Sequence, residues 1–201
     1  MPTAAPGWLA AIESLAPDVV AVWRSIDGGA TRFRREIRRR AGTGRAMGIL
    51  TQHEAIADAL AAVLAELPDA LLRAPGGEED WNVAQAFAHT TGARRWLAHA
   101  AALAARGEWP ADAARVVPGV PGPADLDRDQ LLVLLDKSRR SMVTSTKLIA
   151  GHESDPCPLD HPLIGRLRCG EWLLWAGVHD LMHLEQLHAL HARDPGSGAA
   201  A

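Results

Sequence analysis

His179 and His183 lie four residues apart in the stretch "VHDLMHLEQL", residues 178–187. On a helix, residues at that spacing project from one face, about 40° from each other around the axis, so two imidazoles can be aimed at one ion. Nine histidines in 201 residues yield about 0.4 such pairs by chance, so the pair needs support from elsewhere in the chain. His89 is the candidate third member. It falls two turns into the segment "WNVAQAFAH", on the face that carries Asn82, Gln85, Ala86 and Trp96. The competing reading of His89 is a hydrogen-bonded core residue. Near the end of the chain, Trp172, Trp175, Ala176, His179, Met182, His183 and Gln186 fall on one predicted inward stripe. Burying two neighbouring histidines among tryptophans costs desolvation unless something uses their nitrogens. A divalent metal ion would use them, since neutral imidazole is a common ligand, and zinc, nickel and iron all accept it.

The elements that must position these residues read as helices separated by Pro and Gly. Ile56, Leu60, Val63, Leu64 and Leu67 recur at helical spacing up to Pro68, and "APGGEED" reads as a loop. Asn82 with Gln85 and Asp127 with Gln130 have the capping-box spacing that starts a helix. Gly107 with Pro110 and then Gly151 mark the two helix ends. Pro110, Pro118, Pro121 and Pro123 make residues 108–126 an ordered surface loop. A second loop, "HESDPCPLDHPLIGRLRCG", precedes the last helix. Four long helices and no clear strand pattern predict an all-α four-helix bundle. The long connections suggest loops arching over a functional end. The expected division is an N-terminal helical extension over residues 1–50, one or two short helices packed on or beside the bundle. The bundle follows over 51–193, and a flexible tail over 194–201.

The segments "WNVAQAFAH" and "HPLIGRLRCGEWLLWAGVHDLMHLEQL" resemble the signature helices of the DinB/YfiT-like superfamily, over roughly residues 50–192. The resemblance implies a DinB/YfiT-like four-helix bundle binding a divalent metal through one histidine of the second helix and two of the last: His89, His179 and His183, with Trp81 as a landmark. Three histidines leave coordination positions open, as catalytic rather than closed structural sites do. Several members of the family this chain resembles are thiol-dependent S-transferases or isomerases that use mycothiol or bacillithiol. The implied cofactors are therefore a divalent metal and a low-molecular-weight thiol, and the implied partners a small-molecule thiol and an electrophile. Trp96, Trp172 and Trp175 are candidate substrate-binding walls, with core packing as their commoner fate. The sequence names no catalytic side chain. His179 stands where maleylpyruvate isomerases of this family carry a glutamate, which argues against that activity. The rival to a transferase is a structural or vestigial metal site in a stress-related bundle protein, for which a homodimer is an expected assembly.

Other features exclude more than they suggest. "HDLMH" has the spacing of a zinc protease motif, but Asp180 replaces the glutamate base and no substrate-binding strand is evident. Residues 1–50 hold eight arginines against four acids, mostly in "RFRREIRRR". Phe33, Ile37 and the interleaved Glu36 make this a helix with a solvated arginine face, and no nucleic-acid motif accompanies it. No apolar run reaches the length of a membrane span, and the N-terminus lacks a basic signal-peptide region. With two cysteines, that predicts a cytoplasmic protein with free thiols. Cys157, His161 and Cys169 lack zinc-finger spacing and read as ordinary loop and core residues. His53 reads as a packed histidine that could alternatively face the metal cavity, and His188 as exposed.

Overall fold

A computed structural model describes residues 7–74, 81–113, 115–116, 119–162 and 164–192. The loop expected over 75–80 and the tail expected over 194–201 lie outside these residues, as does Pro118. The helices are α1 (Gly7–Leu15), α2 (Pro17–Trp23), α3 (Gly29–Arg40), α4 (Ala46–Glu66), α5 (Asp69–Leu72), α6 (Val83–Ala105), α7 (Arg128–Ile149) and α8 (Cys169–Ala192). Two strands, β1 (Pro156–His161) and β2 (Gly165–Arg168), pair antiparallel between α7 and α8.

The bundle consists of α4, α6, α7 and α8. Helices α6 and α4 each pack against both α7 and α8, so α4 and α6 occupy one diagonal and α7 and α8 the other. Both anticipated capping boxes form. Asn82 accepts from the Gln85 backbone N–H while Gln85 reaches back to Asn82, and Asp127 and Gln130 do the same at α7. Each cap satisfies amides that the first helical turn leaves unpaired, and so fixes where the helix starts.

Helix α8 is buried on all sides from Trp172 to Val178. Helices α4 and α6 cover one side, while α2 and α3 cover the other. The single inward stripe expected on α8 is therefore too narrow a description. Met182, placed on that stripe, is exposed. His188, expected in solvent, stacks on Trp8 of α1 with ring centroids 5.1 Å apart. Tight spots allow this enclosure. A Cβ at Gly170 would lie 2.3 Å from the Ala41 carbonyl, and one at Gly177 3.0 Å from Val19.

The hairpin is the element the sequence did not announce. In β1, Cys157 and Leu159 point inward and Leu167 of β2 joins them, a period-two pattern interrupted by Pro156 and Pro158. Both cysteines are free and buried. On α3, Phe33 and Ile37 are buried, while Arg38 pairs with Glu171, Arg39 with Glu36, and Arg40 with Glu36 and Asp18. Among the described residues no helix is long and apolar enough to cross a membrane.

Candidate metal centre

The Asn82 cap sets α6 so that His89 comes two turns later, facing α8. Trp81 packs edge-on against its ring at 5.0 Å. The proline-rich loop closes over the same spot. The Gly122 N–H donates to the Gln85 carbonyl and Asn82 Nδ2 donates to the Ala124 carbonyl. A Cβ at Gly122 would come within 2.5 Å of the Ala88 side chain and 2.8 Å of the His89 backbone nitrogen. Only glycine lets the loop lie this close. That approach delivers the Val120 carbonyl to His89 Nδ1 at 2.7 Å.

Hydrogen bonding then fixes which ring nitrogen of each histidine faces the centre. A carbonyl oxygen can only accept, so Nδ1–H of His89 donates to Val120 and its Nε2 carries the lone pair. His183 Nδ1 likewise donates to the side-chain oxygen of Gln186 at 3.0 Å, which places its lone pair on Nε2. Both Nε2 atoms approach His179 Nε2, at 3.2 Å from His89 and 3.3 Å from His183. A neutral His179 has one proton to offer two lone pairs. A cation accepts from all three nitrogens at once. Tetrahedral coordination at roughly 2.1 Å puts ligand nitrogens about 3.4 Å apart, which matches these separations. His89, His179 and His183 thus form a cluster that could hold a metal ion.

Burial pushes the His179 imidazole well below the usual histidine range, and neighbouring His183, His89 and His161 push in the same direction. The ring is neutral at pH 7, as a ligand must be. Its Nδ1 is buried with no hydrogen-bond partner among the described residues. Burial also lowers His161, against the pull of Asp160, and lowers His188. An unfolded imidazole titrates near about pH 6.5. Between that value and the lowered folded values, the unfolded chain holds more protons. Stability of the metal-free protein should therefore fall as pH drops below about 6.5 and be insensitive to these groups above about 7.5. Urea midpoints in EDTA at pH 8.0 and pH 5.5, as about neutral and acidic conditions, test the sign.

Gln186 and Val120 orient two of the three rings through their Nδ1 atoms. Gln186→Leu removes the acceptor for His183 Nδ1–H. Metal affinity is expected to drop about 10- to 100-fold with the fold intact, as measured by competition with a chromogenic chelator.

Behind the cluster lies a second polar group with different partners. Asp180 Oδ2 stands 3.3 Å from Arg94 Nη1 and 3.8 Å from His53 Nδ1, all three side chains fully buried. Arg94 also donates to the His53 carbonyl, and His53 Nε2–H donates to the Leu173 carbonyl at 2.8 Å. His53 is accordingly a core residue and not a wall of the metal cavity. Asp180, considered above in the place of a protease base, is bound up with Arg94 on another face of α8 and cannot serve the cluster. The Arg94–Asp180 pair spans α6 and α8, the two helices that carry the histidines.

A cavity of about 550 Å³ reaches His89 and His179 between α6, the 119–122 loop, the hairpin and α8. Trp96 and Trp175 line it, whereas Trp172 is enclosed in the core and does not. His161, which the sequence left among ordinary loop residues, is also in its wall, 5.4 Å from the Trp175 ring. No spacing rule pointed to His161, because the unexpected hairpin carries it there. A family model described as DinB superfamily matches residues 52–187. No curated protein and no solved structure matches the chain.

Proposed function

This chain belongs to the DinB superfamily, and we propose on that premise that it is a metal-dependent thiol S-transferase acting on a small electrophile. The observation that carries the reading is the convergence of three imidazole Nε2 atoms beside an open cavity of about 550 Å³. A divalent ion held there by His89, His179 and His183 would keep the sulfur of a low-molecular-weight thiol, of the mycothiol or bacillithiol type, deprotonated at neutral pH.

The rest falls to the chain's own residues. Val120 and Gln186 hold two of the rings with their lone pairs inward. The loop over 119–122 and the hairpin each form part of the cavity wall beside the cluster. Trp96 and Trp175 give apolar walls against which the reactants can be held. Arg95, exposed at the cavity edge, suits an anionic group on either reactant. In the transfer, the thiol proton goes to solvent and the sulfur pair forms the new C–S bond. The leaving group departs with the electron pair of the bond that breaks. A purely structural ion tying α6 to α8 is the second reading, and the same helix-bridging geometry favours it.

Conjugation of monochlorobimane with a low-molecular-weight thiol separates the two. The metal-loaded protein should run at least about tenfold above background, and His183→Ala should return to it. A background rate in both, with metal bound in the wild type, would leave the structural reading standing.

A further inference from the structure

A second cavity, of about 340 Å³, borders the histidine cluster from the other side. Part of its wall comes from outside the family-matched segment: Ile26, Ala30 and Phe33, at and just after the turn into α3. Trp175, His179 and Met182 of α8 face them. Three residues, His161, Trp175 and His179, border both cavities, so the two lobes share an edge at His179 of the cluster.

The chemistry of this lobe is apolar. Phe33 and Trp175 meet edge-to-face at 5.5 Å, and Ile26 and Met182, both exposed, flank it. Among the described residues no carboxylate lines it and the single guanidinium is that of Arg34. Arg34 is already engaged, donating to the Ile164 carbonyl at 2.6 Å and the Arg166 carbonyl at 3.4 Å. Those bonds fasten α3 to the hairpin and make the wall a fixed one, while lessening any call for an anionic ligand. The larger cavity, with Arg95 exposed at its edge, suits the bulkier polar thiol.

We propose that the smaller lobe is the acceptor subsite, which binds an uncharged, ring-bearing group of the electrophile, and that the N-terminal segment thereby sets substrate choice. This rests on the transferase reading above, but its occupancy can be measured without any reaction. The chain has four methionines, and ¹³C-methyl labelling gives each a resonance. Met182 lies in the lobe, whereas Met47 and Met142 do not. Titration of the metal-loaded protein with benzyl alcohol, an unreactive ring-bearing probe, should shift Met182 saturably and leave Met47 and Met142 unmoved. Ala30→Trp, at an exposed wall position, should weaken that binding at least about tenfold. Ile26→Asp, which puts a charge beside the lobe, should do the same. A Met182 resonance that does not move, or that moves equally in wild type and both variants, overturns the proposal. Saturable, variant-sensitive binding without thiol conjugation supports the subsite and counts only against the transferase reading.

Discussion

His179→Ala is expected to lower metal affinity by at least about a hundredfold, the loss of one imidazole from sites whose four ligands together supply roughly 10–16 kcal/mol. His179 is the hinge of the cluster, because the Nε2 atoms of His89 and His183 each approach its own Nε2. Its loss leaves those two rings, held by Val120 and Gln186, without the nitrogen between them. The measurement is thermal unfolding with and without added zinc. An ion that binds only the folded state stabilises it by about 2.7 kcal/mol at a hundredfold excess over its dissociation constant. The wild type should gain in melting temperature on that scale, and His179→Ala should gain almost nothing. His99→Ala, on the exposed side of α6, should behave as wild type. Equal gains in all three proteins would place the ion elsewhere.

Asp180→Ala should cost about 3–5 kcal/mol of folding stability, because it strands the buried Arg94 guanidinium without its counter-charge. Against a total of about 5–15 kcal/mol, that brings the protein close to unfolding. The double variant Arg94→Met/Asp180→Leu removes both charges and should recover most of the loss, since a buried pair replaced by apolar groups is often near neutral. Urea midpoints of the wild type and the two variants decide the matter. An Asp180→Ala cost below about 1 kcal/mol would mean that the pair is not tightly coupled. The pair also spans α6 and α8, so metal affinity of the double variant should fall even where stability recovers.

The parts of this protein legible in its sequence are those governed by local rules. Asn82 with Gln85 and Asp127 with Gln130 announce helix starts because a capping box is a three-residue device. The spacing of His179 and His183 states its own geometry, and the family resemblance of "WNVAQAFAH" joined the candidate His89 to them. What escaped depends on contacts far apart in the chain. The hairpin is short and its alternation is broken by Pro156 and Pro158, so His161 could not be placed at the cavity. The burial of α8 on both sides follows from α2 and α3 packing on its outer face, which no periodicity within α8 encodes. Arg94 reads as one more helix cation until Asp180 and His53 are seen beside it. Trp172 and Trp175 look alike in sequence, yet only Trp175 reaches the cavities, a difference of helix rotation.

X-ray absorption of the zinc-loaded protein tests the three-histidine centre most directly. The expected spectrum has one zinc per chain with three imidazole nitrogens at about 2.0–2.1 Å, and its remaining ligand exchanges for sulfur, at about 2.3 Å, when a small thiol is added. A sulfur shell present before any thiol is added, which would point to Cys157 and Cys169, would contradict it. So would a first shell with fewer than three imidazoles.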